Sequence, residues 1–159
     1  MSLPILCLAV LAALLIRAAW TDLASRTIAN RLNLAIALLA VPWWWAIGLQ
    51  PWPGVAIQLG LAALVFAGFA ALFAINMIGG GDVKLLGALA LWLPPEELPA
   101  MLWAMALCGG LISAGMICHR RLVPAGGGPR PAAEVPYGLA IAIGCIPFIT
   151  NRILTMGAA

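Results

Sequence analysis

Six apolar runs, separated by short polar or glycine- and proline-rich breaks, take up most of this 159-residue chain. Hydrophobic residues make up 65% of the sequence and charged residues only 8%, whereas soluble domains carry roughly 25% charged residues. A helix satisfies its own backbone hydrogen bonds, so apolar runs of this kind are stable as helices in a bilayer. The sequence therefore predicts an all-α, polytopic membrane helix bundle with about six transmembrane helices, formed by residues 1–159 as a single domain.

The fourth predicted helix is much shorter than the others. The six segments cover residues 3–20, 32–48, 55–77, 82–93, 98–118 and 136–154. The fourth has roughly 12 residues, or ~18 Å at the helical rise, which is too short for a hydrocarbon core of about 30 Å. We therefore expect the three glycines at residues 79–81 to lie below the membrane surface, or the bilayer to be thinner there. Trp43, Trp44 and Trp45 are interpreted as an aromatic belt at the membrane interface.

Basic residues are distributed unevenly over the breaks between these segments. If the N-terminus lies outside, seven of the eight Lys and Arg residues fall on the cytoplasmic side and only Arg152 falls outside, which agrees with the positive-inside rule. This orientation places Asp22 and Asp82 at the same, cytoplasmic face. The net charge of +3 thus reports orientation, and no nucleic-acid partner is expected. The lipid bilayer is a partner, and the sequence leaves homo-oligomer formation open.

Asp82 follows three consecutive glycines and stands between two apolar runs. An acidic side chain at membrane depth is costly unless it faces water or a partner, so Asp82 is a candidate functional residue and Asp22 is its candidate partner. In an aspartic-protease dyad one carboxylate acts as a base on water, while the other, protonated, polarises the scissile carbonyl. Such chemistry needs no metal and no cofactor.

The same residues also allow structural interpretations. Asp82 could cap the fourth segment, because Asp is a preferred N-cap residue, and Asp22 could be an ordinary charge at the interface. Lys84 is typical of a snorkelling anchor and Tyr137 of an interfacial anchor. Asn30 could cap the second segment. The four cysteines form no CxxC pair, so a zinc ribbon or redox motif is not expected.

Two motifs and a weaker third one resemble the type IV prepilin peptidases, polytopic aspartic proteases of the Gly-x-Gly-Asp class. The first motif begins at Asp22 and continues through Arg26, Ile28 and Asn30, with Ala29 where the family often has proline. The second is GGGDVKLL at residues 79–86, and the third is VPYG at residues 135–138, followed by Ala140, Ile141 and Gly144. Together these motifs cover much of the chain in the family's order.

The resemblance implies cleavage of a short, positively charged leader from pilin-like precursors at the cytoplasmic face of the bacterial inner membrane. It carries Asp22 and Asp82 over as the catalytic pair. The residues that it assigns a conformational or motif role are Gly79, Gly81, Lys84, Arg26 and Asn30. Tyr137 and Gly138, from the third motif, are candidates for a position near the substrate.

Larger members of that family carry a cytoplasmic insertion with paired cysteines and an N-methyltransferase activity. This chain has no CxxC pair and no room for the insertion between its first two segments. It therefore resembles the short, peptidase-only branch associated with tight-adherence (Flp-type) pili. Neither methylation nor S-adenosylmethionine binding is expected.

Two other classes of function fit part of the pattern. A small transporter or channel subunit could use Asp22 and Asp82 as proton or cation sites, and such proteins also contain glycine-broken helices. The two halves of the chain, however, share no inverted repeat. A non-catalytic pilus assembly subunit is the third interpretation, and it would tolerate asparagine at both acidic positions.

Overall fold

The computed structural model describes residues 2–122 and 137–157, and this part of the chain is mostly helical. Its helices are α1 (Leu3–Ser25), α2 (Asn30–Ala46), α3 (Ala56–Ala74), α4 (Gly80–Ala90), α5 (Leu98–Leu122) and α6 (Tyr137–Gly157). Between α2 and α3 the chain passes through Pro51–Val55, where Trp52 leaves helical geometry with φ −132° and ψ 129°. The predicted all-α bundle is confirmed. The glycine- and proline-rich break between the fifth and sixth predicted segments lies outside the described residues, as do Val135 and Pro136 of the third motif.

Four helices in the described ranges are long and apolar enough to cross a bilayer. They are α1, α3 together with the turn before it, α5 and α6. With 17 residues, α2 is slightly shorter than such a span, and α4 has only 11. The protein is therefore a multi-pass membrane protein, in which the two remaining helices complete the bundle.

Helix α1 continues one turn beyond its predicted end at Trp20. The hydroxyl groups of Thr21 and Ser25 donate hydrogen bonds to carbonyls one turn earlier, at 3.1 Å and 2.8 Å, so both hydroxyls are satisfied within the helix. The helix stops at Arg26, which adopts the left-handed conformation with φ 53° and donates its backbone N–H to the Asp22 carbonyl at 3.0 Å. This extra turn places Asp22 within the bundle.

Helix α4 is the core of the bundle. It packs against α2, α3 and α6, and eight of its 11 residues are buried. Leu85, Leu86 and Leu89 are fully buried. Apart from Asp82 and the exposed Lys84, this helix is apolar, and such a helix is stable when other elements surround it.

Side chains from α2 and α3 bind the backbone carbonyls at the end of α4. Gln58 Nε2 donates to the carbonyls of Ala90, at 2.8 Å, and Leu93, while Trp44 Nε1 donates to the carbonyl of Leu91 at 2.8 Å. A backbone carbonyl left unpaired away from water is costly. These donors therefore allow a helix of only 11 residues to end inside the bundle.

The interpretation of the three tryptophans as an interfacial belt is wrong for Trp43. This side chain is 1% exposed and stacks on Trp92, with ring centroids 5.6 Å apart. Trp44 binds the end of α4, and only Trp45 is largely exposed, at 80%. Three successive residues on a helix point in different directions, so they cannot share one environment.

Candidate active site

The two aspartates are among the few buried polar residues of this bundle. Among the residues whose burial the structure describes, residues 2–119, 122 and 137–156, four polar or charged residues are buried: Asp22, Asn33, Gln58 and Asp82. Asp22 is 6% exposed in the last turns of α1, and Asp82 is 8% exposed in the first turn of α4. The interpretation of Asp22 as an ordinary interfacial charge is therefore wrong.

Both carboxyl groups line one cavity of about 260 Å³. The cavity lies where α1 ends and α4 begins, and its other walls are Arg26, Thr27, Ile28 and the glycines at 79–81. A liquid water molecule occupies about 30 Å³, so the cavity has room for water and for part of a peptide. Asp82 Oδ1 is buried and has no hydrogen-bond partner among the described residues. This oxygen therefore has an unused capacity to accept a hydrogen bond.

Two carboxyl groups in one buried cavity do not both ionise cheaply, because their charges repel each other and both lose hydration. The pair is suited to hold a single proton that belongs to both groups. One carboxylate can then accept a proton from water while the other carboxyl group donates to a carbonyl oxygen. This arrangement provides general base and general acid at one place.

Helix α6 holds Asp22 through a backbone contact at Gly138. The Gly138 N–H donates to Asp22 Oδ2 at 2.8 Å. A Cβ atom at position 138 would lie 2.9 Å from that same oxygen and 2.9 Å from Ile28 Cδ1, closer than real Cβ contacts. Gly138 was predicted to lie near the substrate, and the structure places it directly against a carboxyl group of the cavity.

The glycines before Asp82 allow α4 to start in a crowded place. Gly79 is the N-cap residue and α4 begins at Gly80, so the interpretation of Asp82 as the N-cap is wrong. A Cβ at Gly79 would lie 2.9 Å from Asp82 Oδ2. At Gly81 it would lie 3.2 Å from Ile28 Cβ and 3.4 Å from the Ile28 backbone nitrogen. Side chains at these two positions would displace either the carboxyl group or the helix.

Asn30 and Lys84 join the start of α2 to the first turns of α4. Lys84 Nζ donates to Asn30 Oδ1 at 2.8 Å. The interpretation of Asn30 as a helix cap is wrong, because the N-cap of α2 is Ala29 and no side chain caps it. Lys84 is exposed, as expected of an anchor, but its ammonium group also binds a specific partner.

Asn33 was not predicted as a site residue. It is 5% exposed on α2, and its Nδ2 donates to the Gly81 carbonyl oxygen at 3.1 Å. An amide within an otherwise apolar run was the available signal, since intramembrane polar side chains usually face the bundle interior. Which partner it would find could not be read from the sequence, because Gly81 lies 48 positions further along.

Tyr137 lies away from the walls of this cavity. Its ring packs near Gly109 of α5, where an added Cβ would be 3.5 Å from Tyr137 Cε1. Among the residues that the structure describes, no group of three His, Cys, Asp or Glu side chains is placed to hold a metal ion.

Comparison with known families gives one match. The model of the type IV leader peptidase family matches residues 9–114, which include Asp22, the glycines at 79–81 and Asp82. Comparisons with curated proteins and with solved structures gave no match.

Proposed function

This chain belongs to the type IV leader peptidase family, a family of aspartic-type prepilin peptidases, and from this membership we propose that Asp22 and Asp82 are its catalytic pair. The enzyme is a membrane protease that acts on prepilins. One observation carries the proposal: two buried carboxyl groups, supplied by α1 and α4, line the same cavity.

The proposed reaction uses one proton shared by the pair. The ionised carboxylate takes a proton from water, and the water oxygen attacks the carbonyl carbon of the scissile peptide bond. The protonated carboxyl group donates to the carbonyl oxygen during this attack. When the carbon–nitrogen bond breaks, a proton passes to the leaving amine. The products are a carboxylic acid and an amine, and the dyad is ready for another water molecule.

We further propose that the cavity faces the cytoplasm and that the protein lies in the bacterial inner membrane. Arg26, Arg31 and Lys84 lie at the same end of the bundle as the dyad, which is the distribution expected of a cytoplasmic face. At the opposite end Arg152 is paired with Glu97 at 3.1 Å. At that end the charge of Arg152 is thus neutralised by an acid.

Flp-type prepilins with a short basic leader are the proposed substrates. Only residues 26–29 separate α1 from α2, so this connection has no space for an added cytoplasmic domain. So short a connection fits a peptidase-only enzyme.

The test is co-expression with an Flp-type prepilin, comparing wild type, Asp22→Asn and Asp82→Asn. Leader removal is followed by gel shift and mass spectrometry of the pilin. Asparagine keeps the size of aspartate but removes the proton, so each variant should lose cleavage by at least about 100-fold. Glu96→Gln, at an exposed carboxyl group, is the matched control and should cleave like wild type. Full cleavage by both aspartate variants at equal membrane levels would refute the dyad.

A further inference from the structure

We propose that Asn33 is a positioning residue for Asp82. The inference rests on the proposed function, because it assigns Asn33 the task of holding one member of the catalytic pair. Asn33 does not line the cavity and does not touch the reacting atoms. It acts through the backbone of Gly81, the residue directly before Asp82.

The glycines that open α4 make no side-chain contacts of their own. Residues 79–81 are all glycine, so no side chain in this stretch can interlock with a neighbouring helix. The turn packs closely against Ile28. Because no side chain of the turn takes part in this contact, the contact fixes the distance between the two segments better than it fixes the orientation of the turn. The buried side chains from Val83 onward set the rotation of the body of α4. At the start of the helix, the hydrogen bond from Asn33 adds a direct restraint on the peptide unit that precedes Asp82, and the orientation of this peptide affects where the Asp82 carboxyl group points.

Two hydrogen bonds between α2 and α4 involve residues on either side of Asp82 in the sequence. Asn33 Nδ2 donates to the carbonyl of Gly81 at 3.1 Å, one residue before it. Asn30 Oδ1 accepts from Lys84 Nζ at 2.8 Å, two residues after it. The Asn33 bond is partly buried and acts on the backbone, so it restrains the helix more firmly than the bond of the exposed Lys84 side chain can.

Stability alone does not account for an amide at this position. Asn33 Oδ1 is buried and has no hydrogen-bond partner among the described residues, which costs free energy that an apolar side chain of similar size would avoid. The amide thus retains an unpaired acceptor while its donor holds Gly81. An amide with only one of its polar atoms paired is expected where its remaining hydrogen bond positions a functional group, here the carboxyl group of Asp82.

The test measures kcat and KM of Asn33→Leu on a prepilin that the wild-type enzyme cleaves, in detergent, per folded enzyme. Loss of the bond should lower kcat by about 10- to 100-fold, because misplacement of a reacting group by about an ångström has an effect of this size. KM should stay within about twofold, since the wall that meets the substrate is unchanged.

Gln58→Leu is the matched control. Gln58 is also a buried amide that binds backbone carbonyls of the α4 region, but at the opposite end of the helix from Asp82. It should lower the melting temperature while leaving kcat per folded enzyme at the wild-type value. If Asn33→Leu does not fold, Asn33→Ala replaces it, because that variant also removes the donor and adds neither bulk nor charge.

Two outcomes would overturn the proposal: wild-type kcat in the Asn33 variant, or an equal loss of kcat in Gln58→Leu. The aspartate variants, measured in the same assay, separate this failure from failure of the proposed function. If Asp22→Asn and Asp82→Asn are inactive while the Asn33 variant is fully active, only the positioning role is wrong. If the aspartate variants cleave normally, the catalytic assignment itself is wrong.

Discussion

Gly138 can hold the Asp22 carboxyl group because it has no side chain. Gly138 combines an N–H donor for Asp22 with the absence of a Cβ, and both are needed where two helices meet this closely. Gly138→Ala should therefore reduce prepilin cleavage by about 100-fold, because the new methyl group would force the Asp22 carboxyl group aside. The measurement is the initial rate of leader removal by purified enzyme, normalised to the folded fraction.

Gly110→Ala provides the control for this substitution. A Cβ at Gly110 would meet no heavy atom within 4 Å, although this glycine also lies in a long helix. The variant should cleave at the wild-type rate and be slightly more stable, since alanine favours helix over glycine by about 1 kcal/mol. Equal activity of the two alanine variants would show that the contact at Gly138 does not matter for catalysis.

Among the elements, α4 is held at both ends by side chains of its neighbours. Trp43 and Trp92 form the stacked pair near its C-terminal end, and Trp92 Nε1 donates to the Ile36 carbonyl at 3.0 Å. Trp43→Ala should destabilise the protein by about 3–5 kcal/mol, because it opens a cavity that surrounding helices can fill only in part. Thermal unfolding in detergent measures this change.

Trp45→Ala tests whether burial is the cause. Trp45 is 80% exposed, so the same substitution removes few contacts inside the protein. Its melting temperature should stay close to that of wild type. A decrease in melting temperature as large as that of Trp43→Ala would mean that these tryptophans stabilise the protein through contacts with detergent or lipid rather than through packing on Trp92.

The sequence predicted the elements well where composition decides them. The apolar runs identified six helices and the short length of α4, because bilayer thickness and helical rise limit the choices. The end of α1 and the roles of Trp43 and Trp44 were missed. These features depend on local hydroxyl-to-carbonyl bonds and on which helix lies alongside, and neither is determined by periodicity within one segment.

For the whole molecule, the charges at the two ends predict its orientation. The end that carries Arg31 should face the cytoplasm, and the end that carries Glu96 should face outward. In a background in which all four cysteines are replaced, Glu96→Cys should react with a membrane-impermeant maleimide in intact spheroplasts. Arg31→Cys should react only after the membrane is opened. Both positions are exposed in the structure, so burial does not limit labelling.

The opposite labelling pattern would place the dyad outside the cytoplasm and contradict the proposed site of cleavage. Labelling of both positions in intact spheroplasts would instead indicate leaky membranes, which a cytoplasmic marker enzyme reveals in the same sample. Cleavage of a co-expressed prepilin confirms that the cysteine-substituted background is folded.

For the whole chain, the sequence predicted that Asp22 and Asp82 lie at the same face of the membrane, because this follows from the number of membrane crossings between them. The residues that hold them could not. Asn33 finds Gly81, and Gly138 finds Asp22, only through the packing of α2 on α4 and of α1 on α6. Such pairings depend on helix rotation, which crossing counts leave undetermined.

Ile28 lies between α4 and α6 at the site. Its side chain lies against Gly138 of α6 through Cδ1 and against Gly81 of α4 through Cβ. Space taken at either glycine would therefore push the same isoleucine toward the other, so the two positions are coupled in free energy although they belong to different helices. A smaller side chain at position 28 would therefore relieve the contacts that isoleucine makes with both positions, but alanine at position 138 would still meet Asp22 Oδ2 at 2.9 Å.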